Sequence, residues 1–469
     1  MKKFRITRAR KAGICVFLLL ALAIGLMLLD HAVHIQREPL PYPKAQEVMP
    51  EPKQSDTNEV SEDFATHLPL VVLDLGNQTP RSDSVWDVDK GYQVPVDFDP
   101  YVRGTMKLIA HENDVNRLSD VATLETDLKV RLRGNSSADF DKKQYLLKLY
   151  HPDGSKNEQD ILGLGQDWEW VLNISLLDKS LLRNYVAFTM GKQTEVLSPD
   201  ARYCEVLCQR GERLEYLGVY LLSENVERSP SRVDIPAYSP TNDNFSYIIR
   251  RDRLDGVGAM LPTDSHKNKR LYGALELKYP KEEVISTQHF NRVVAELDTI
   301  ENILLSDNPE EYLQYSQKIN TDSFVDYFIL NELLMNYDAG FRSTYSYKGY
   351  DGKLTMGPFW DFDQSFDNDP LGGASFDQVA MQEAPWFRQL LRDPAYAKKV
   401  IARYHDLRET IFSNDAVSAL IDGTVAYLGP AVQRDWSRWG YHYRTPYLKQ
   451  SDKDTANRHA NRNVQTNEA

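Results

Sequence analysis

Cysteines are scarce in this sequence, and no pattern of cysteine and histidine indicates a zinc site. Only three of the 469 residues are cysteine, and Cys15 lies in an apolar run near the N-terminus. Cys204 and Cys208 lie four residues apart in a segment with the composition of a β-strand, which separates their Cα atoms by about 13 Å. A disulfide needs Cα atoms within about 7 Å of each other. We therefore expect both cysteines to be unpaired.

Basic residues are fewer than acidic residues in this sequence. The chain has 55 Lys and Arg against 68 Asp and Glu, a net charge of −13. This balance argues against a nucleic-acid-binding protein, which normally presents a basic surface. It is compatible with solubility and with a requirement for divalent cations, although many proteins share it. No G-x-S-x-G motif occurs and the ten histidines are scattered, so nothing indicates a nucleophilic triad.

One long apolar run is present, at residues 12–29. A helix of that length spans about 27 Å, close to the thickness of a hydrocarbon core. Six Lys and Arg precede the run, and such a flank stays in the cytoplasm. We predict a single-pass transmembrane anchor (residues 1–29) with the N-terminus cytoplasmic and the main domain extracytoplasmic. A cleaved signal peptide is the alternative, and it would also export the domain.

Composition divides the rest of the chain into three parts. Residues 30–65 are rich in Pro, Glu, Gln, Ser and Asp and predict a flexible linker. Residues 449–469 are polar and nearly without large apolar residues, which predicts a disordered tail. Residues 66–448 have the composition of a folded domain. Within it a strand-rich part precedes a helical part, so we predict an α+β fold.

Short β-branched and aromatic runs bounded by turns predict the strands. They lie at residues 68–75, 126–134, 143–150, 202–209, 217–224 and 245–251. Helical spacing of apolar residues predicts the helices. One helix starts near Asp178, and amphipathic segments follow at 285–304 and 310–318. The segment TDSFVDYFILNELLMNY is predicted to form a helix capped by Thr321 or Asp322. Further helices are predicted across 380–440. A hairpin with Asp351-Gly352 as its turn separates the last two helical regions.

An acidic stretch follows this hairpin. Gly357–Asp369 (GPFWDFDQSFDND) places four aspartates beside large aromatic residues, where a carboxylate is costly without a positive partner. Asp338 lies 23 residues before Asp361, after the long apolar helix. Phosphoryl transfer uses one carboxylate to orient the attacking hydroxyl and another to hold Mg²⁺, which takes few protein ligands. The spacing suits this chemistry, and a solvated acidic loop is the alternative.

Two other uses of the acidic stretch fit less well. A calcium loop starting at Asp361 would need Gly and Glu where Phe366 and Gly372 stand. A glycosidase needs carboxylates on opposite sides of a bond, which two residues on one loop do not easily provide.

A glycine-containing turn lies between two predicted strands at RLRGNSSADFDKKQYLLKLY (131–150). Glycine and small hydroxyl residues let backbone N–H groups approach an anion closely. Arg133, Lys142, Lys143 and Lys148 add donors of the right charge. This hairpin is a candidate phosphate site, and an ordinary solvated hairpin is the alternative.

Several blocks of this sequence, in order, resemble the spore-coat protein H-like (CotH) kinases, atypical protein kinases found in exported bacterial and some eukaryotic proteins. The blocks are RGNSS…KKQYLLKL (133–149), LGLGQDWEWVLNISLLDKSLLRNYVAF (162–188), YLGVYLLSENVE…SRVDI (216–235), ELKYP (276–280), NELLMNYDAG (331–340) and GPFWDFDQSF (357–366). The resemblance covers roughly residues 68–440. It implies a two-lobed, protein-kinase-like domain, although the standard G-x-G-x-x-G, HRD and DFG signatures are absent.

The resemblance also implies roles for individual residues. Asp338 would be the catalytic aspartate, Asp361 the main Mg²⁺ ligand and Asp363 a second one. Lys148 would contact the phosphates of ATP, with Glu224 as its partner. Further nucleotide contacts are expected from the turn and from two later blocks, at Arg133, Asn135, Ser136, Arg183 and Lys278. For Arg183, a buried structural ion pair is an equal alternative.

One departure from the family pattern concerns the metal side of the site. Family members often have Asn about five residues after the catalytic aspartate, and here the segment is Arg342-Ser343-Thr344. A hydroxyl from Ser343 or Thr344 would be a weaker metal ligand than an amide carbonyl. This departure keeps a catalytically inactive member of the family open as an alternative.

Three functional hypotheses follow. The first is an exported, membrane-anchored kinase that uses ATP and Mg²⁺ to phosphorylate Ser or Thr of cell-surface or spore-coat proteins, without a nucleic-acid partner. The second is a catalytically inactive structural or binding module in envelope or spore-coat assembly. The third, suggested only by the aromatic and acidic content, is a carbohydrate-active or calcium-binding surface protein.

Overall fold

The computed structural model describes residues 58–444 except 84, 88–90, 94–97, 112–114, 135, 174–175, 253–258, 269–270, 272, 351 and 369–378. The predicted anchor, the predicted tail, Asn135 and Asp351 lie outside the described residues. In the part of the chain that is described, no helix is long and apolar enough to cross a membrane. The last residues of the predicted linker contact the fold, since Val60 and Phe64 pack against Leu70 and Tyr216.

Seven strands of the described residues form a closed barrel. They are β1 (Leu70–Asp74), β2 (Val102–Ile109), β3 (Leu124–Leu132), β4 (Tyr145–Tyr150), β5 (Glu169–Asn173), β6 (Ala201–Arg210) and β7 (Arg213–Glu224), in the spatial order β5-β7-β6-β1-β2-β3-β4 with β4 closing on β5. Only the β6–β1 pair among these is parallel. Val130, Leu147 and Trp170 lie opposite one another on β3, β4 and β5 and are fully buried. Because side chains alternate along a strand, Lys148 and Glu169 lie on the other face.

A second sheet contains five antiparallel strands. They are β8 (Tyr247–Asp252), β9 (Ala259–Leu261), β10 (Ala274–Tyr279), β11 (Thr344–Lys348) and β12 (Thr355–Met356), in the order β9-β10-β8-β11-β12. The predicted hairpin is confirmed as β11 and β12. The described residues also form three two-stranded pairs: Ala65–Thr66 with Asn116–Arg117, Val85–Asp87 with Gly91–Gln93, and Gln159–Asp160 with Gln166–Asp167.

Helices predominate in the second part of the chain, in agreement with the predicted α+β class. They are α1 (Arg183–Gly191), α2 (Asp264–Lys267), α3 (Thr287–Leu305), α4 (Pro309–Tyr312), α5 (Tyr315–Lys318), α6 (Thr321–Leu333), α7 (Pro385–Leu390), α8 (Pro394–Arg408), α9 (Asn414–Leu428) and α10 (Pro430–Arg444). The predicted cap of α6, Thr321 or Asp322, was wrong: the cap is Asn320, whose side chain accepts the Ser323 N–H. Helix α1 begins at Arg183, later than predicted, because the Asp178 carboxylate accepts the backbone N–H groups of Ser180 and Arg183.

Helix α10 is joined to the barrel by two buried ion pairs. Arg434 donates two hydrogen bonds to Glu205 on β6, at 2.7 and 2.6 Å. Asp435 accepts a 2.6 Å bond from Lys142, and these two side chains are 1% and 0% exposed. Burial lowers the pKa of Lys142, and Asp435 opposes that effect. The suggestion that Lys142 offers a donor to phosphate was therefore wrong: its ammonium group is already used inside the protein.

We predict that Lys142→Met destabilises the protein by about 3–5 kcal/mol, because it leaves a buried carboxylate without its cation. Lys107→Met is the matched control, since Lys107 pairs with Glu125 at 3.3 Å on the exposed surface of the barrel. An exposed pair contributes about 0–1 kcal/mol. Urea unfolding of the two variants measures both values. Equal stability losses would contradict the structural role of the Lys142–Asp435 pair.

Candidate active site

A cleft of about 660 Å³ lies among strands β3–β5, strands β8, β10 and β11, and the acidic stretch after β12. This volume suits a ligand the size of a nucleotide. Nine basic and seven acidic residues line it, although acidic residues outnumber basic ones in the whole chain. Six residues predicted from the sequence are among those lining it: Arg133, Lys148, Lys278, Asp338, Asp361 and Asp363.

Asp361 lies in a turn with a left-handed backbone conformation, φ 65°. Such a conformation is uncommon for a residue other than glycine and must be held by its surroundings. The Asn336 side chain donates to the Asp361 carbonyl at 3.3 Å. The next residue, Phe362, donates its N–H to the Asn184 side chain at 2.8 Å. Two buried amides, from α1 and from the segment after α6, therefore fix the direction of the Asp361 carboxylate.

The Asp361 carboxylate accepts a 2.9 Å hydrogen bond from the Ser343 hydroxyl. Ser343 also has a positive φ, 46°. The neighbouring Thr344 hydroxyl is used within its own turn, where it accepts the Gly340 N–H at 2.7 Å and donates to the Arg342 carbonyl at 2.8 Å. Of the two residues considered for the metal side, Ser343 is thus the one beside Asp361, and it also lines the cleft.

Asp338 lies just after α6 and lines the same cleft. Its carboxylate accepts a 2.8 Å bond from Arg342, and both side chains remain partly exposed. Ser343 follows Arg342 directly. One short turn therefore contains both Arg342, which bonds Asp338, and Ser343, which bonds Asp361. Asp338 and Asp361 therefore line one cleft, and the roles predicted for them stay predictions.

Asp363 is nearly buried, 6% exposed, and lines the cleft beyond Asp361. Among the described residues, no group of three or more His, Cys, Asp and Glu is arranged to hold a metal ion. A site made of Asp361, Asp363 and the Ser343 hydroxyl offers oxygen ligands only. This donor set fits Mg²⁺, which binds through one or two carboxylates and takes its remaining ligands from water and phosphate.

Lys148 pairs with Glu169, whose carboxylate lies 3.2 Å away on β5. The rings of Trp168 and Tyr101 lie 4.9 and 5.2 Å from its ammonium group. Burial alone would lower the pKa of Lys148, but Glu169 and Tyr101 outweigh this effect and the pKa is raised. Lys148 is therefore a charged lysine held at the cleft.

The predicted pairing of Lys148 with Glu224 was wrong. Glu224 lies opposite Trp170 across β5, whereas Lys148 lies opposite Glu169. Adjacent residues of a strand point to opposite faces. The Glu224 carboxylate instead accepts bonds from Arg232 at 2.9 Å and from the Asp200 N–H at 3.0 Å, and it does not line the cleft.

Arg133 and Lys278 supply further positive charge to the cleft. The Arg133 guanidinium lies 4.5 Å above the Trp360 ring, and burial lowers the pKa of Arg133. Burial, followed by the charges of Arg250 and Lys281, lowers the pKa of Lys278 to about 7. Arg250 already bonds Glu276 at 2.6 Å, and Lys278 has no ion-pair partner within the described ranges. An anion at this position would relieve the repulsion around Lys278.

The remaining predicted residues have other positions. The Arg183 side chain bonds Asp178 at 2.6 Å and the Ser365 carbonyl at 3.1 Å. Arg183 is not among the residues that line the cleft, which favours the structural ion pair over a nucleotide contact. Ser136 begins the short 3₁₀ helix Ser136–Asp139. Before it, Gly134 has φ +92° and lines the cleft, and a Cβ there would lie 1.9 Å from the Ser137 hydroxyl.

Several residues that position this site were not predicted from the sequence. Glu169 was within the WEW segment of a recognised block, but only strand register could identify it as the partner of Lys148. Asn184 and Asn336 looked like ordinary polar residues next to apolar helices. Both are buried. Their position in otherwise apolar segments was the one feature of the sequence that could have indicated a structural role.

A family model described as CotH kinase protein matches residues 130–465. The match includes every residue of the cleft discussed above except Tyr101, and it begins within β3. A search of curated proteins found no match.

We predict that the Lys278 amine titrates near pH 7 instead of near the usual lysine value of about 10.4, because of its burial and its basic neighbours. The measurement is the pH dependence of its acylation by an amine-reactive reagent, followed by mass spectrometry, with Lys281 in the same sample as a reference. Inorganic tripolyphosphate should slow the acylation of Lys278 at pH 7.5, since a bound anion raises the pKa. A midpoint for acylation above pH 9 would contradict the prediction.

Proposed function

The chain belongs to the CotH kinase protein family, and from that premise we propose that it is a protein kinase. It transfers the γ-phosphoryl group of ATP to a serine or threonine hydroxyl and uses Mg²⁺. The observation that carries the proposal is that Asp338 and Asp361 line one cleft and that Ser343, from the Asp338 turn, bonds Asp361.

Asp338 is the residue that orients the acceptor hydroxyl. Its carboxylate is held by Arg342 but stays partly exposed at the cleft, so a hydroxyl group can reach it. As the new P–O bond forms, the hydroxyl proton moves toward Asp338, and ADP leaves with the electrons of the broken bond. Because the transition state of phosphoryl transfer is loose, positioning of this hydroxyl is the main requirement.

Asp361, with Asp363 nearby, forms the metal side of the site. When bound, Mg²⁺ neutralises charge that develops on the phosphate oxygens. The protein's own contribution is to present the Asp361 carboxylate in one fixed direction, through the Ser343 hydroxyl and the two buried amides behind the turn.

Lys148, Arg133 and Lys278 form the side of the site that binds the nucleotide phosphates. Glu169 fixes Lys148 by the 3.2 Å ion pair, as a carboxylate partner does for the phosphate-binding lysine of other kinases. Arg133 and Lys278 have no carboxylate bonded to them among the described residues, and a bound anion would favour the charged form of Lys278. With Lys278 protonated, the three cations neutralise most of the negative charge of a triphosphate.

We further propose a two-lobed, kinase-like arrangement around this cleft, a membrane anchor at residues 1–29, and protein substrates at the cell surface or in a spore coat. Support for the anchor comes from the apolar run at 12–29 and its basic flank. Support for the substrates comes from family membership. An exported position would bring the cleft to extracytoplasmic proteins.

Asp338→Asn and Asp361→Asn should each abolish Mg²⁺-dependent transfer of ³²P from γ-labelled ATP, with losses of at least about 10²-fold in rate. Asp367→Asn is the matched control, because Asp367 lies in the same acidic stretch, is exposed and does not line the cleft. Thermal unfolding checks that all three variants fold. Wild-type protein that is stabilised by ATP and Mg²⁺ but transfers no phosphate would favour the inactive binding module instead. Transfer that survives both substitutions would refute the assigned roles.

Ser343→Ala should raise the Mg²⁺ concentration for half-maximal activity by about tenfold, a typical effect of losing a bond to a metal ligand. Ser343→Asn should restore it, since Asn tolerates the left-handed backbone conformation of Ser343 and supplies an amide oxygen. The Mg²⁺ dependence of labelling, measured at saturating ATP, tests both variants. Equal Mg²⁺ requirements in all three proteins would show that Ser343 does not serve the metal side.

A further inference from the structure

Arg342 places a guanidinium group beside Asp338, at the centre of the proposed reaction site. Its Nη1 donates a 2.8 Å hydrogen bond to the Asp338 carboxylate, and its side chain is 32% exposed. Arg342 also lines the cleft. It belongs to the segment that departs from the family pattern, and the sequence assigned it no role. It is nevertheless a cation in direct contact with the residue that would orient the acceptor hydroxyl.

The backbone of this turn holds Arg342 next to both carboxylates of the site. The Asp338 carbonyl accepts the N–H groups of Phe341 and Arg342, at 3.1 and 2.8 Å. The next residue, Ser343, donates its hydroxyl to the Asp361 carboxylate at 2.9 Å. Arg342 thus bonds one carboxylate while its neighbour in the chain bonds the other. The turn that contains Arg342 therefore spans the space between Asp338 and Asp361.

The transferring phosphoryl group must lie in this same space. In phosphoryl transfer the γ-phosphorus is in line between the acceptor oxygen and the leaving oxygen. An acceptor hydroxyl bonded to Asp338 lies about 2.7 Å from the carboxylate, and the atom that it attacks lies about 3–3.5 Å further on. The phosphorus is then roughly 6 Å from that carboxylate. Because the Arg342 guanidinium is bonded to the same carboxylate, it adjoins the position of the phosphoryl group.

A guanidinium group suits this position by its shape and its charge. It presents five N–H donors in one planar fork, so it can contact a carboxylate and a phosphoryl oxygen at the same time. An arginine that contacts the transferring phosphoryl group raises the rate of other phosphoryl-transfer enzymes by about 10³–10⁵-fold.

The bond to Asp338 makes the charge of Arg342 depend on the progress of the reaction. Before the reaction, the ionised Asp338 carboxylate balances that charge. As the acceptor oxygen bonds to the γ-phosphorus, the electron pair of the broken P–O bond leaves with ADP and the hydroxyl proton moves to Asp338. The carboxylate is then neutral, and the guanidinium charge acts on the phosphoryl oxygens instead. An interaction that is stronger in the transition state than in the ground state accelerates a reaction.

We propose that Arg342 contacts the transferring phosphoryl group and stabilises its negative charge in the transition state. The inference rests on the proposed kinase function and adds a catalytic residue to it. The bond between Arg342 and Asp338 then has two effects. It holds the residue that accepts the proton, and it releases the charge of Arg342 when that proton arrives.

The test compares ADP alone with ADP plus aluminium fluoride, a planar mimic of the transferring phosphoryl group. Both are titrated calorimetrically into the full-length protein with Mg²⁺ present. Arg342→Met should weaken binding of the aluminium fluoride complex by about 10–100-fold, the effect of losing one hydrogen bond from a charged donor. Binding of ADP alone should change by less than about threefold, because ADP lacks the phosphoryl group.

Asp338→Asn separates this role from that of holding Asp338 in place. It removes the negative charge that balances Arg342, so this variant should bind the aluminium fluoride complex at least as tightly as wild type. Arg388→Met is the matched control, because Arg388 bonds Glu383 at 2.9 Å on the exposed surface and does not line the cleft. It should leave both affinities unchanged.

Thermal unfolding checks that the variants fold. If Arg342→Met does not fold, Arg342→Lys makes the same comparison, with a loss of about tenfold for the aluminium fluoride complex, since lysine keeps the charge but lacks the planar fork.

Equal binding of the aluminium fluoride complex by wild type and Arg342→Met would overturn the inference, as would an equal loss for ADP alone. Faster phosphoryl transfer by Arg342→Met would overturn it too, because the contact with Asp338 would then be inhibitory. The same holds for wild-type protein that transfers phosphate but gains no affinity from aluminium fluoride. Wild-type protein that neither binds ADP nor transfers phosphate would instead refute the proposed function.

Discussion

The left-handed turn at Asp361 is the constraint on which the geometry of the cleft depends. Such a backbone conformation costs about 1–3 kcal/mol and persists only where its surroundings hold it. Here the Asn184 and Asn336 side chains hold it, and Asn336 is itself bonded to Asn331 at 2.9 Å. The aromatic residues around Asp361 serve the same end, because Phe359 and Phe362 are fully buried and leave the turn no room to relax. The aromatic rings beside the Asp361 carboxylate therefore help to hold the turn in its left-handed conformation.

Local composition predicted much of the fold but little of the pairing within it. Each predicted strand overlaps an observed strand, because β-branched runs bounded by turns carry their own signal. Two strands of the barrel were not predicted: β2, where Gly104, Arg103 and Lys107 weaken the pattern, and β5, which is only five residues long. The partner of Lys148 could not be predicted, since a shift of one residue in register exchanges Glu169 for Trp170.

Charge was harder to interpret than hydrophobicity. Lys142 and Lys148 belong to the same hairpin and have the same chemistry, yet one is buried against Asp435 and the other faces the cleft. The ion pair of Lys142 joins residues 293 apart in sequence, a distance at which no local pattern is informative. By contrast, Asp338 and Asp361, which are connected by a single hairpin, line the same cleft, as their spacing in the sequence led us to expect, and their roles there stay predictions. Sequence spacing was informative about the site only where the connecting element was short and recognisable.

The two ion pairs of α10 also bear on how the protein is made. Glu205 lies on a barrel strand and Lys142 between two barrel strands, both in the first half of the chain, and their partners lie on the last described helix. Before α10 is synthesised, Glu205 and Lys142 lack the counter-charges that α10 provides. The barrel therefore cannot reach its final stability before synthesis of α10, and a polypeptide cut short upstream of α10 carries its own defect. These two contacts between distant parts of the chain thus make the stability of the barrel depend on a helix that is synthesised late.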